Sequence, residues 1–379
     1  MVINNRIKFF SFYGCMEQGQ RRENSPAADT KVDYIVNVLN RLGYSVDIIS
    51  RASSAELYFL SSTVKIKGVN SYRYFASFGK TKSSLRIVYR WFMELQFFFW
   101  CLLNLRKGEQ VIVYHSLGYD STFIKLKYLR KIRIIGDIEE IYQDVHKQRP
   151  SKKRNEYRFI QKCDKLMFSN TILNERFNHS NRPYIVCHGI YKAQRKITEK
   201  YNDGKIHLLY SGTYDPVKGG AIASIKMAEY LPEKYHLHIT GFGNDQALKE
   251  ELKRVKFLTK CAITYHGYLE EEEFISLMQS CHIGLCTQDP TNKLNFTSFP
   301  SKILNYISNG LVVITGRNRV IEDSAVGKFV HYYDVQNPKD ISIAVMQIQL
   351  TDESIGKELL ELLDKKFSES LNCLLKIKV

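Results

Sequence analysis

Residues 206–227 read Ile-His-Leu-Leu-Tyr-Ser-Gly-Thr-Tyr-Asp-Pro-Val-Lys-Gly-Gly-Ala-Ile-Ala-Ser-Ile-Lys-Met. An apolar run of strand character, 206–211, enters a glycine-rich turn and then a helix with a lysine at its start. Such a βα unit recurs in both directions along the chain. Downstream, strands are predicted at 236–240, 262–265, 282–286 and 311–315, with helices between them. Upstream of a polar stretch, 191–205, strands are predicted at 7–13, 45–49, 110–114, 132–136, 165–169 and 184–187, separated by helices such as 26–42 and 122–130. Repeated βα implies parallel sheets covered on both faces. With 379 residues, too many for one ordinary core, the chain divides into two doubly wound Rossmann-like α/β domains. The expected boundaries are 1–195, 205–350 and a terminal helix over 351–379 that packs back across both, with a linker near 190–204. Ligands of such sheets bind outside the carboxyl ends of the strands, so the expected site is the cleft between the facing domains.

Two loops at those strand ends have the chemistry of anion sites. In the turn 211–220, backbone amides, a helix N-terminus and Lys218 suit a phosphate. In Phe299-Pro-Ser-Lys-Ile-Leu-Asn-Tyr306, Ser298 reads as an N-cap, Pro300 as a first-turn residue and Gly310 as the helix stop. Ile303, Leu304 and Ile307 then face the core, leaving Ser301, Lys302 and Asn305 toward the cleft. A nicotinamide dinucleotide is not expected, because Gly241 and Gly243 are followed by Gln246 where the fingerprint needs a third glycine.

Charge divides as sharply as the fold. Residues 1–200 hold 35 Lys and Arg against 17 Asp and Glu, and the remainder 20 against 22. A basic half can face nucleic acid or an anionic membrane, at about 1 kcal/mol per cation near anionic lipid. Nucleic acid is suggested by charge alone and is not expected as a partner. The eight cysteines show no metal-ligand spacing and read as reduced thiols of a cytoplasmic protein, and the amino-terminal residues show no apolar segment of signal-peptide length. No metal site is expected.

The order of Gly212 to Gly219, His266-Gly267, 280–285, Phe-Pro-Ser-Lys-Ile-Leu-Asn-Tyr306 and Gly310-Leu-Val-Val-Ile314 resembles the donor-binding half of family 4 glycosyltransferases. These are retaining enzymes of the GT-B fold that use nucleotide sugars, often in bacterial surface polysaccharide synthesis. The resemblance covers most of 205–335 and thins in the first half to Gly14, Gly19, 25–31 and 113–116. It implies a donor site of Gly14, Gly212, Thr213, Lys218, Gly241, His266, Gly267, Thr297, Ser298, Phe299, Pro300, Ser301, Lys302 and Asn305. The family's E-x7-E motif falls on Thr297 and Asn305, so both carboxylates are missing, and Thr213 stands where an arginine is common. A neutral Asn305 bonding a ribose hydroxyl contributes about 0.5–1.5 kcal/mol, against about 1.5–3 for a charged partner.

Retaining transfer in this fold needs positioning and stabilisation of charge on the departing diphosphate. Lys218, Ser301, Lys302 and two helix N-termini are expected to supply it without a metal or other cofactor, the donor being UDP- or GDP-linked. On the acceptor side His115 follows a strand end, and Glu139 or Glu140, beside Asp137, is the candidate base. The segment 87–103 is apolar almost all round, with Ile87, Trp91, Leu95, Phe98 and Leu102 at helical spacing. Glu94 and Gln96 argue against a membrane span. The segment reads either as a helix buried on the sheet or as one lying in a bilayer surface, flanked by Lys80, Lys82, Arg86, Arg90, Arg106 and Lys107. Two functions follow: a transferase at the inner face of the cell membrane extending a lipid-linked glycan, or a non-catalytic GT-B glycan-binding or partner subunit.

Overall fold

The computed structural model describes residues 5–17, 19–23, 25–56, 58–79, 85–145, 150–214, 219–243, 245–292, 297–350 and 353–378. They form two compact units. The first comprises 1–169, 173–187 and 367–379, and the second 170–172 and 188–366.

Eight strands build the first unit's sheet: β1 (Asn5–Ser11), β2 (Tyr44–Ser50), β3 (Thr63–Lys67), β4 (Asn70–Tyr74), β5 (Gln110–Tyr114), β6 (Arg133–Ile138), β7 (Lys165–Phe168) and β8 (Tyr184–Val186). Their order is β3-β4-β2-β1-β5-β6-β7-β8, parallel except for the β3–β4 hairpin. That hairpin lies outside the strands expected from sequence. Its strand β3 is largely exposed, so no apolar run announces it, and Gly68 at φ 58° makes the turn.

The second sheet contains β9 (Ile206–Tyr214), β10 (Tyr235–Gly243), β11 (Ala262–Gly267), β12 (Ile283–Cys286), β13 (Val312–Gly316) and β14 (Val330–Tyr333). All six are parallel, in the order β11-β10-β9-β12-β13-β14. This is the doubly wound arrangement in which chain order reverses between the first and fourth strands, here β9 and β12.

The stretch expected as a linker belongs to the second unit, whose long run begins at His188, and the first unit takes up the chain again at Phe367. The segment is extended but tied down: Gln194 N–H bonds Ser308 C=O at 2.9 Å, Gln279 Oε1 accepts from Ile197 N–H at 2.8 Å, and Tyr201 N–H reaches Ser280 C=O at 2.9 Å. The terminal helix Glu353–Lys376 buries Leu359, Leu363, Phe367 and Leu371 along one stripe, and its last turns, from Phe367, belong to the first unit. There Phe367 stacks on Tyr34, and the buried Lys165 ammonium bonds Leu374 C=O at 2.7 Å.

The helix Arg86–Asn104 is two-faced. Phe97 and Cys101 are fully buried, with the Phe97 ring edge-on to Phe10 and Phe75. The polar residues inside the apolar run also face the protein: Glu94 pairs with Arg51 at 2.6 Å, and Gln96 Nε2 bonds Ala76 C=O at 3.1 Å. Ile87, Trp91, Leu95, Phe99 and Leu103, each four residues after the last, remain exposed. Phe97→Ala is therefore expected to cost about 3–5 kcal/mol in urea unfolding. Phe99→Ser, on the opposite face, is expected to stay within about 0.5 kcal/mol of wild type.

Candidate functional site

The carboxyl ends of β9 and β10 come together through glycine. Gly212 and Gly241 pair in register, at φ 140° and 149°, and a Cβ on Gly241 would lie 1.8 Å from the Gly212 carbonyl oxygen. No other residue type fits there without separating the strands. Thr213, paired with Phe242, is exposed at the same edge. Gly267 ends β11 close by, its carbonyl accepting from Thr240 Oγ1 at 2.8 Å.

Beyond β12 the chain returns in the helix Ser301–Ser308. Its cap is Pro300, in extended conformation, rather than Ser298, because proline's fixed φ of −71° suits the step into the helix. Asn309 closes the helix and Gly310 follows at φ 76°. Ile303, Leu304, Tyr306 and Ile307 are buried, while Ser301 and Asn305 are exposed. The Tyr306 hydroxyl accepts from Ser211 N–H at 2.9 Å and sits 3.3 Å from Leu285 C=O, tying the helix to the ends of both β9 and β12. Its ring lies against Gly284, where a Cβ would come within 2.3 Å of the ring's Cγ.

This anchoring aims Lys302. Its ammonium lies 4.1 Å from the centre of the Tyr210 ring, a cation–π contact, and a Cβ on Gly212 would be 2.5 Å from Nζ. Lys302 thus stands over the backbone of the first strand's end, at the point where chain order reverses. Phe299 is buried and packs on His188 at 4.9 Å. Thr297 is also buried, its carbonyl accepting from Asn170 Nδ2 at 3.0 Å. Lys218 lies outside the described residues. His266 contacts His238 at 3.0 Å between ring nitrogens.

In the first unit, Gly14 is buried and bonded internally: its N–H donates to Asp29 Oδ2 at 3.1 Å and its carbonyl accepts from the Tyr74 hydroxyl at 3.0 Å. Burial raises the Asp29 pKa to about 6, and the Gly14 N–H opposes that rise. His115 is buried at the end of β5, stacked on Phe159 and 3.7 Å from both Asp120 and Glu156. Burial pulls its pKa down to about 4. Burial and the charge of Glu156 push Asp120 well above the usual carboxylate range, and burial with Glu139 does the same to Asp137. Burial thus disfavours charge on the imidazole and on the Asp120 and Asp137 carboxyls alike. Glu139 forms an ion pair with the buried Lys31, which also donates to Cys187 C=O at 2.9 Å. Glu140 is half-buried.

The second unit thus brings together Gly212, Thr213, Gly241 and Lys302. Sequence reading missed Tyr210 and Tyr306, which position them. Gly284 inside a buried strand was the available signal, since such a glycine marks a close approach.

No protein-family model matches the sequence, and neither does any curated protein. Solved structures do match in fold. A trehalose-6-phosphate synthase from E. coli bound with UDP-2-fluoro glucose superposes with TM-score 0.65 at 11% identity, over 99% of this chain and 100% of that one. A trehalose-6-phosphate synthase analysed with bisubstrate glycomimetics for glycosyl transfer with retention gives 0.62 at 12%, over 99% and 100%. Anabaena HepE in complex with UDP gives 0.61 at 9%, over 97% and 100%. The chain has the GT-B fold.

If the Tyr306 hydroxyl holds the helix in place, Tyr306→Phe leaves the buried Ser211 N–H without its acceptor. The expected loss is about 1–3 kcal/mol in chemical unfolding, with weaker binding of any anion at Lys302.

Proposed function

We propose that this protein is a retaining glycosyltransferase that moves a sugar from a UDP- or GDP-linked donor to a lipid-linked glycan acceptor during cell-surface polysaccharide assembly. The observation that carries this reading is Lys302, held by Tyr306 and Tyr210 over the glycine pair where chain order reverses. The neighbours in fold support it, two of them carrying UDP or a UDP-sugar. As the sugar's anomeric carbon parts from the diphosphate, negative charge builds on the phosphate oxygens. The Lys302 ammonium, the Ser301 hydroxyl and the amides opening the helix Ser301–Ser308 neutralise it, with Lys218 from the first loop and no resident metal. Glu139 or Glu140 takes the acceptor hydroxyl's proton, and His115 shapes the acceptor side. Asn305 bonds the ribose.

We assign the membrane contact to the helix Arg86–Asn104. Its exposed row Ile87, Trp91, Leu95, Phe99 and Leu103, with Val88 and Phe92 beside it, is bordered by exposed Arg90, Arg106 and Lys107. Apolar side chains with cations at the margins suit the boundary of an anionic bilayer. Among the described residues no helix is long and apolar enough to cross a membrane. The location that follows is the cytoplasmic face of the cell membrane.

A second reading, a non-catalytic glycan-binding or partner subunit, is favoured by one feature: the positions of the two family glutamates hold a buried Thr297 and a neutral Asn305. A thermal-shift series of UDP-, GDP-, ADP- and CMP-sugars separates the two, because a ligand at 100 times its Kd adds about 2.7 kcal/mol of stability. The transferase reading expects a shift with UDP- or GDP-sugars, and silence across the series favours the second. Lys302→Ala is expected to lower kcat/KM about 10- to 150-fold, the worth of a charged hydrogen bond of about 1.5–3 kcal/mol. Unchanged turnover would remove Lys302 from the mechanism. In flotation with phosphatidylserine vesicles at low salt, wild type should rise with the lipid. The triple variant Trp91→Ser, Leu95→Ser, Phe99→Ser should stay in the soluble fraction.

A further inference from the structure

Three imidazoles meet on one face of the second unit's sheet. In β10, His236 and His238 are two residues apart and so point to the same side. Parallel register sets His207 of β9 beside His236. His207 Nδ1 lies 2.8 Å from His238 Nε2, and the His236 ring centre is 4.2 Å from that of His238 and 5.0 Å from that of His207. One ring nitrogen from each lies within 4.8 Å of the other two.

We propose that His207, His236 and His238 bind one divalent cation of the zinc class, which staples β9 to β10. The other nitrogen of each ring distinguishes this set from a chance cluster. His207 Nε2 is 3.0 Å from Asp203 Oδ1, His236 Nε2 is 2.8 Å from Thr264 Oγ1, and His238 Nδ1 is 3.0 Å from His266 Nε2. Every ring has an outer partner on one side, which leaves His207 Nδ1, His238 Nε2 and His236 Nδ1 as the ligand atoms. Outer partners of this kind set the tautomer and orientation of metal-binding histidines, a carboxylate being the most familiar.

The three nitrogens, all within 4.8 Å of one another, adjust their spacing around the ion. Zinc–nitrogen bonds of about 2.0–2.1 Å in tetrahedral geometry place ligand nitrogens about 3.4 Å apart. The His207–His238 pair opens by roughly 0.6 Å, exchanging the hydrogen bond between the rings for two metal bonds. Solvent supplies the fourth ligand. His207 and His238 are buried beneath the Tyr201 ring, whose centre is 4.1 Å from that of His207, while half-buried His236 leaves a way in. His207 and His236 each precede the paired Gly212 and Gly241 by five residues, about 16 Å along the strands. The three ligands are therefore separate from Lys302, and only His266, the outer partner of His238, is shared with the donor site implied by the sequence.

The test is titration of the chelator-stripped full-length protein with zinc ion alone, followed by calorimetry and thermal unfolding. One ion per chain and a raised Tm are expected. Cobalt(II) in its place should give visible d–d bands without a near-ultraviolet sulfur-to-cobalt band, since the chain's cysteines take no part. His236→Gln should abolish one-to-one binding. Asp203→Asn, at a half-exposed position outside the core, should keep the fold and weaken zinc binding about 10- to 100-fold. Absence of one-to-one binding by the wild type would overturn the proposal. So would a sulfur-to-cobalt band, or an affinity unchanged in both variants.

Discussion

The hydroxyl of Tyr306 is the contact on which the second unit's site depends. A helix that follows a strand can rotate and slide on the sheet unless something fixes it, and apolar packing by Ile303, Leu304 and Ile307 is not directional. The hydroxyl is directional. It takes the Ser211 N–H and lies within reach of Leu285 C=O, so one atom references the helix to two strands, β9 and β12, that are neighbours in the sheet but far apart in sequence. Lys302, one turn earlier on the same helix, inherits that placement.

Glycine makes the arrangement possible at three points for the same reason. Gly284 yields space to the Tyr306 ring, and Gly212 and Gly241 let two strand ends approach where any side chain would meet a carbonyl or the Lys302 stem. The result is a strand edge with exposed backbone and an ammonium above it, which is what a diphosphate needs.

The first unit is organised by buried charge instead. Arg22 bonds the carbonyls of Ala52, Phe75 and Ser61 and the Ser77 hydroxyl, drawing three loops together. Lys31 joins the first helix to Glu139 and Cys187, and Lys165 holds the end of the terminal helix. Each of these cations is almost fully buried and bonded to oxygen, as a charge inside a protein must be, the Arg22 guanidinium through its two terminal nitrogens. Around His115 burial acts the other way, disfavouring charge on the imidazole and on Asp120.

The sequence by itself determined the alternation of strands and helices, the buried face of the helix at 301–308 and the glycine positions, because local periodicity and φ preferences act within a few residues. It also marked Lys302. The β3–β4 hairpin escaped it, since an exposed strand carries no apolar signal, and so did the Pro300 cap. The apolar run 87–103 was legible as a helix, but only packing decided that Phe97 turns inward and Trp91 outward. The histidines show the same division. His236-x-His238 was visible along one strand, yet His207 joins them through the parallel register of β9 and β10, and strand pairing is a property of the folded sheet rather than of any stretch of chain.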